Sequence, residues 1–143
     1  MSLDGMTDEA IRALLMNTQR IAVVGASANP SRPSFGVTGF LVDRGFDVTP
    51  VNPGLAGQQL HGSTVAASLA EAGKLDMVDI FRRSEEVGPV VDEAIRLGAR
   101  TIWMQLGVID SAAAARAREA GLTVVMDRCP LIEWRRLGMA MSA

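Results

Sequence analysis

The residues of this chain best placed to do chemistry are ones that would hold a ligand. The apolar run Ile21-Ala-Val-Val24 stops at Gly25-Ala26-Ser27. A β-branched strand feeding a small, glycine-containing turn and then a helix brings backbone N–H groups up to a phosphate, which bulkier side chains would hold away. The turn continues through Ala28-Asn-Pro-Ser-Arg-Pro-Ser34, where Arg32 supplies a fixed cation and Ser27, Ser31 and Ser34 supply hydroxyls. Phosphate recognition uses that mixture. The same stretch also reads as a rigid surface loop whose serines cap a helix starting near Phe35 or Gly36 and whose arginine is solvated. After Gly25 the next glycine is Gly36, so the Gly-x-Gly-x-x-Gly dinucleotide fingerprint is absent.

Further groups stand at the ends of later apolar runs. Pro50-Val51-Asn52-Pro53-Gly54 carries a proline-bracketed asparagine where NAD enzymes place an acidic ribose reader. It is either a rigid edge against an adenine or a plain turn. Phe81-Arg82-Arg83-Ser84 offers two cations ahead of an N-cap serine, and Trp103-Met104-Gln105 offers a polar group after a tryptophan expected in the core. Cys129, the single cysteine, follows Arg128; it is a small buried hydrophobe or a thiol activated by that cation. His61, the single histidine, reads as a solvated loop residue, and no cluster has metal-ligand spacing.

Groups for catalysis are scarce. Asp76 and Asp79 are read as sharing one strand face, Glu85 and Glu86 suit a helix N-terminus, and Glu133 has no evident partner. With one histidine in a loop and no Gly-x-Ser-x-Gly motif, a nucleophile–base arrangement has few candidates. The chain therefore reads as a binding protein without a catalytic set.

Positioning these groups requires alternating elements. Strand patterns at Asp47–Val51, Met77–Phe81, Thr101–Met104 and Leu122–Met126 follow the first strand, and Gly45, Gly98 and Gly121 close the intervening helices. Thr7 caps a first helix running through Leu15, with Ile11, Leu14 and Leu15 facing inward. Val87, Val91, Ala94 and Ile95 recur at helical spacing within Ser84–Leu97, and Asp110 caps Ser111–Ala120. Such alternation predicts an α/β, Rossmann-like, three-layer domain. Its five-stranded parallel sheet is expected in the order 3-2-1-4-5, with an extra N-terminal helix. Ligands of such sheets bind at the carboxyl ends of the strands, near the switch point. The apolar stretch Leu131–Met141 has no clear period and is read as a possible homo-oligomer contact.

The bulk numbers narrow the class. At 143 residues, one domain spanning 1–143 with its core at about 20–138 is expected. A net charge of −2 gives no support for a nucleic-acid partner. No apolar run reaches membrane-span length and Met1–Ala10 is too polar for a secretory segment, so a cytoplasmic setting without a membrane is expected.

Six segments together resemble the stand-alone coenzyme A-binding proteins, whose fold matches the N-terminal domain of the succinyl-CoA synthetase α subunit. They are Val24-Gly-Ala-Ser27, Arg32-Pro-Ser-Phe-Gly-Val37, Pro50-Val-Asn-Pro53, Asp76-Met-Val-Asp-Ile-Phe-Arg82, Trp103-Met-Gln-Leu-Gly-Val108 and Val125-Met-Asp-Arg-Cys-Pro130. The resemblance implies coenzyme A as the cofactor. By it, Gly25, Ala26 and Ser27 would hold the pyrophosphate, with Arg32 and Ser34 beside them, and Val51, Asn52 and Pro53 would flank the adenosine. Phe81, Arg82, Arg83, Met104 and Gln105 would touch the pantetheine arm or the adenine side. Relatives often carry a lysine just after the Asn-Pro pair, suited to the 3′-phosphate; this chain has Gly54 and Leu55. The synthetases' ligase activity needs a phosphohistidine domain and a nucleotide-grasping domain, so it does not carry across. Binding of coenzyme A or a short acyl-CoA as carrier, sensor or accessory protein is the leading expectation. The alternatives are an NAD(P)-binding oxidoreductase and a redox protein forming a Cys129–coenzyme A mixed disulfide.

Overall fold

In the computed structural model, which describes residues 2–139, a parallel sheet forms from β1 (Arg20–Val24), β2 (Asp47–Val51), β5 (Met77–Ile80), β6 (Thr101–Met104) and β7 (Thr123–Val125). Its near-continuous apolar strands are those of a sheet covered on both faces. One face carries α1 (Asp8–Asn17), α2 (Pro33–Asp43) and α5 (Pro130–Arg136) over Ile21, Val23, Met77 and Trp103. The other carries α3 (Val87–Arg96) and α4 (Ser111–Glu119) over Val78, Ile80, Ile102 and Met104. Ala113, Ala114 and Ala117 are fully buried there, which explains why an alanine-rich helix suffices: small side chains let it lie close.

The three-layer architecture matches expectation, but the strand order does not. The sheet runs β2-β1-β5-β6-β7, which over its five strands is 2-1-3-4-5 rather than 3-2-1-4-5. Between β2 and β5 the chain makes no crossover helix that would add a strand outside β2. Instead it forms a short antiparallel hairpin, β3 (Gln59–Leu60) and β4 (Ser63–Thr64), and Ala66 bridges Val51 at the β2 edge. Asp76 then accepts hydrogen bonds from the Gln19 and Arg20 N–H groups at 2.9 and 3.0 Å, joining the entrance of β5 to that of β1. One carboxylate thus pins the pairing that places the third strand beside the first.

Local chemistry sets the element ends. Thr7 Oγ1 accepts from Ala10 N–H, and Asp110 Oδ1 from Ala113 N–H, both expected caps. Gly45, Gly98 and Gly121 all adopt positive φ at the helix-to-strand turns. α2 starts at Pro33, two residues before the expected start, because a proline at N1 is already at a helical φ. α3 is preceded by a 3₁₀ turn over Ser84–Glu86. The segment read as aperiodic is the short α5, whose Trp134 packs edge-on between Phe40 and Phe46 at 6.1 and 6.0 Å. Leu131, Trp134 and Leu137 turn inward there, so part of the surface expected to meet a second copy is core; residues 140–143 lie outside the described residues. His61 is an exposed loop residue, as expected, and it is also held in place. It stacks on Phe35 at 4.5 Å, and its Nε2 bonds the Phe35 carbonyl at 2.9 Å. Glycine at 39 makes room, since a Cβ there would fall 2.7 Å from the imidazole.

Candidate functional site

The observed order puts the switch point between β1 and β5, so the end of β5 lies directly beside the turn after β1. Gly25 shows how closely: its φ is +87°, and a Cβ would lie 2.1 Å from the Phe81 carbonyl oxygen. Only glycine lets the two strand ends approach this far. Around this contact a cleft of about 300 Å³ is lined by Gly25, Ala26, Ser27, Arg32, Ser34, Asn52, Phe81 and Arg82, among others. A neighbouring cleft of about 200 Å³ is lined by Val51, Asn52, Pro53, Ala67, Ser68 and Arg82. Ten of the expected ligand residues therefore line one or both of the two clefts.

The donors differ in detail from the expected set. Gly25 and Ala26 both donate their N–H groups to the Val51 carbonyl, at 3.2 and 3.3 Å, so these two amides build the turn rather than meet an anion. Among the described hydrogen bonds none uses the N–H of Ser27 or Ser34, and those amides stand at the mouth of α2. The Ser27 hydroxyl accepts from Asn29 N–H at 3.0 Å. Asn52 is committed in the same way. Its Nδ2 donates to the Ala26 carbonyl at 2.7 Å and its Oδ1 accepts from Gly54 N–H at 2.8 Å. The asparagine thus ties the β1 turn to the β2 turn and shapes the wall between the clefts.

Arg32 caps α2 with its backbone and is exposed beside the first cleft. Arg82 lines both clefts and is held by Glu86 at 3.0 Å. Together they place two cations at the cleft rim, the charge of Arg82 shared with Glu86, while Glu93 lines the second cleft. Arg83 is exposed and lines neither cleft. Met104 is fully buried in the core on the α3–α4 face, so its side chain is packing and lines neither cleft. Gln105 is buried at 5% exposure, two strands from the β1 turn, displaced there by the order of the sheet.

Other candidates resolve into structure. Asp76 and Asp79, three positions apart, alternate to opposite faces and do not form a pair. Asp76 bonds backbone, which holds its carboxyl below the usual range, whereas burial pushes the fully buried Asp79 well above it. Glu133 has partners after all: it is buried and pairs with Arg128 and Arg136. Arg128 spends its donors on Asp4, Glu133 and the Met6 carbonyl, leaving the adjacent Cys129 without the cation expected to act on it. Cys129 is 6% exposed beside a separate cavity of about 290 Å³ at the end of β7. The largest cavity, about 560 Å³, lies at the amino ends of β1 and β2, beside Gln19 and Phe46, away from the edge where such sheets bind ligands. Among the described residues no group of acidic, histidine or cysteine side chains could hold a metal ion, and no helix is long and apolar enough to cross a membrane.

Known proteins share both sequence and fold. The CoA binding domain family model matches residues 19–135. The YneT protein of Bacillus subtilis (strain 168) is 38% identical over 120 residues, covering 83% of this chain and 87% of that protein. A solved structure from Pyrococcus horikoshii OT3 is 36% identical, covers 96% of each chain and superposes with a TM-score of 0.90. Another, from Thermus thermophilus, is 36% identical over 92% of this chain and 99% of that one, with a TM-score of 0.87. With matching sequence from before β1 to the end of α5, and with the turn, clasp and clefts where the fold binds ligands, the chain belongs to the CoA-binding domain family.

Proposed function

We propose that this protein binds coenzyme A or a short acyl-CoA across the carboxyl edge of its sheet and does not transform it. The observation that carries this is the cleft at the β1–β5 switch point, with Arg32 and Arg82 among its lining, in a chain of this family. The Ser27 and Ser34 amides and Arg32 take the pyrophosphate, and the adenosine lies against Val51, Pro53 and Ser68 in the adjoining cleft. Arg82, lining both, is the cation nearest to replacing the lysine absent at Gly54 and reaches for the 3′-phosphate. The clefts hold no nucleophile–base pair, which supports a carrier, sensor or accessory role over catalysis.

Isothermal titration with coenzyme A, 3′-dephospho-coenzyme A and NAD tests this. Sub-millimolar affinity for coenzyme A, reduced for the dephospho form and for Arg82→Ala, is expected; no detectable binding overturns the reading. An NAD(P) site has no observation in its favour. The end of β2 offers no acidic ribose reader, and the Asn52 amide is spent on Ala26 and Gly54. Equal or tighter binding of NAD would reverse that judgement.

A further inference from the structure

Two interior side chains on the α2–α5 face carry polar atoms without a partner: both oxygens of Asp79 and Oε1 of Gln105. Asp79 lies opposite Trp103 in the β5–β6 register, and Gln105 stands two positions further along the same strand direction. Both side chains thus leave one face as diagonal neighbours, backbones roughly 7–8 Å apart, within reach of a side chain as long as glutamine. A buried polar group left unpaired costs about 1–3 kcal/mol, so two side by side call for a use.

Nearby polar groups are already occupied. The Trp103 indole donates to the Arg128 carbonyl at 2.8 Å, and Thr38 Oγ1 donates to the Ser34 carbonyl at 2.6 Å. Of the two ends of the Gln105 amide, only Oε1 is buried without a partner. We propose that Asp79 is a positioning residue: it donates to Gln105 Oε1 and turns the amide NH₂ toward the carboxyl edge, where it donates to an uncharged carbonyl of the ligand, an amide or thioester of a pantetheine arm.

Burial alone pushes the Asp79 carboxyl well above the usual carboxylate range, which favours the neutral acid with a proton to donate. An ionised carboxylate would instead draw the NH₂ inward and present Oε1 to the ligand, favouring a donor. Reach is not an obstacle. From the β1 turn to β6 is two strand spacings, roughly 10 Å. A pantetheine arm has about as many backbone bonds as four extended residues, roughly 14 Å. This inference rests on the coenzyme A reading above.

The test compares coenzyme A with adenosine 3′,5′-bisphosphate, which keeps the nucleotide and lacks the arm, by titration calorimetry on variants first checked for cooperative urea unfolding. Asp79→Leu is expected to weaken coenzyme A about tenfold and leave the bisphosphate unchanged. Asp79→Asn, which can still donate to Oε1, is expected to bind both as the wild type does. Gln105→Leu should repeat the Asp79→Leu selectivity, and supplies the readout if Asp79→Leu does not fold. The inference fails if the leucine variants weaken both ligands alike or neither, or if Asp79→Asn behaves as Asp79→Leu. Wild-type protein that binds both ligands equally overturns it while leaving nucleotide binding intact. Binding of neither by the wild type removes the coenzyme A reading itself.

Discussion

At the scale of single residues, Gly25 and Asp79 mark opposite ways in which a site constrains its scaffold. Gly25 combines a left-handed backbone with a strand neighbour that leaves no room for a Cβ. Gly25→Ala is expected to cost at least about 2 kcal/mol, from strain and clash together, read as a lowered urea midpoint. An unchanged midpoint would show that the β1 and β5 ends can separate freely. Asp79 binds a proton more tightly folded than unfolded, so its contribution is most favourable below its ordinary value of 3.8 and declines as pH rises toward its folded value. Asp79→Asn removes that decline. Its stability relative to the wild type should therefore grow as pH is raised from about 4 to 8 in parallel urea titrations. A constant difference would mean Asp79 is ionised in the folded protein at neutral pH.

Elements come next, and the N-terminal segment shows how one is fastened. The Asp4 side chain is fully buried and holds Arg128 at 2.8 Å together with the N–H groups of Met6 and Met126. Burial opposes its ionisation, but the Arg128 hydrogen bond and the two amides outweigh it and hold its carboxyl below the usual range. Arg128 continues to Glu133, and Arg136 joins Glu133 to Asp8, so the entry to α1, the end of β7 and α5 are stitched together. Asp4→Ala leaves a largely buried guanidinium short of one partner and is expected to cost about 3 kcal/mol at pH 7. Because the folded carboxyl is the stronger acid, this contribution is present above 3.8 and lost as pH falls through its lowered value. The gap between wild type and Asp4→Ala should therefore close on acidification; a gap that persists at pH 2 would assign the effect to packing. Asn52 fastens two turns by similar means, and Asn52→Ala should lower stability by about 1–2 kcal/mol and weaken coenzyme A with it.

For the whole molecule, the clefts exist only because β5 lies beside β1. That arrangement brings Phe81 and Arg82 to the Gly25 turn and carries Met104 and Gln105 one strand further away. A ligand that spans two strand ends binds the folded state alone. Coenzyme A at a hundredfold excess over its Kd should therefore add about 2.7 kcal/mol of stability, seen as a raised melting temperature. The gain should shrink with salt, since in the proposed complex rim arginines meet the phosphates. An unmoved melting temperature at millimolar coenzyme A would contradict the binding proposal.

Sequence alone determined the five sheet strands, the helices α1 to α4, the caps at Thr7 and Asp110, the closing glycines and the strand-end segments, because these depend on local spacing and backbone preference. It also placed Gly25, Ser27, Arg32 and Asn52 at one edge, since the carboxyl ends of parallel strands share a side. Tertiary structure decided the rest. The strand order turned on a crossover without an α-helix and on the Asp76 carboxylate, neither of which has a periodic signature. Asn52 proved a clasp, and Glu133 a buried partner of Arg128, because hydrogen bonds between positions distant in sequence exist only once the chain has closed on itself. The same holds for Asp79: its type and position are written in the sequence, but the burial that pushes its carboxyl above the usual range is a property of the packed layers on either side.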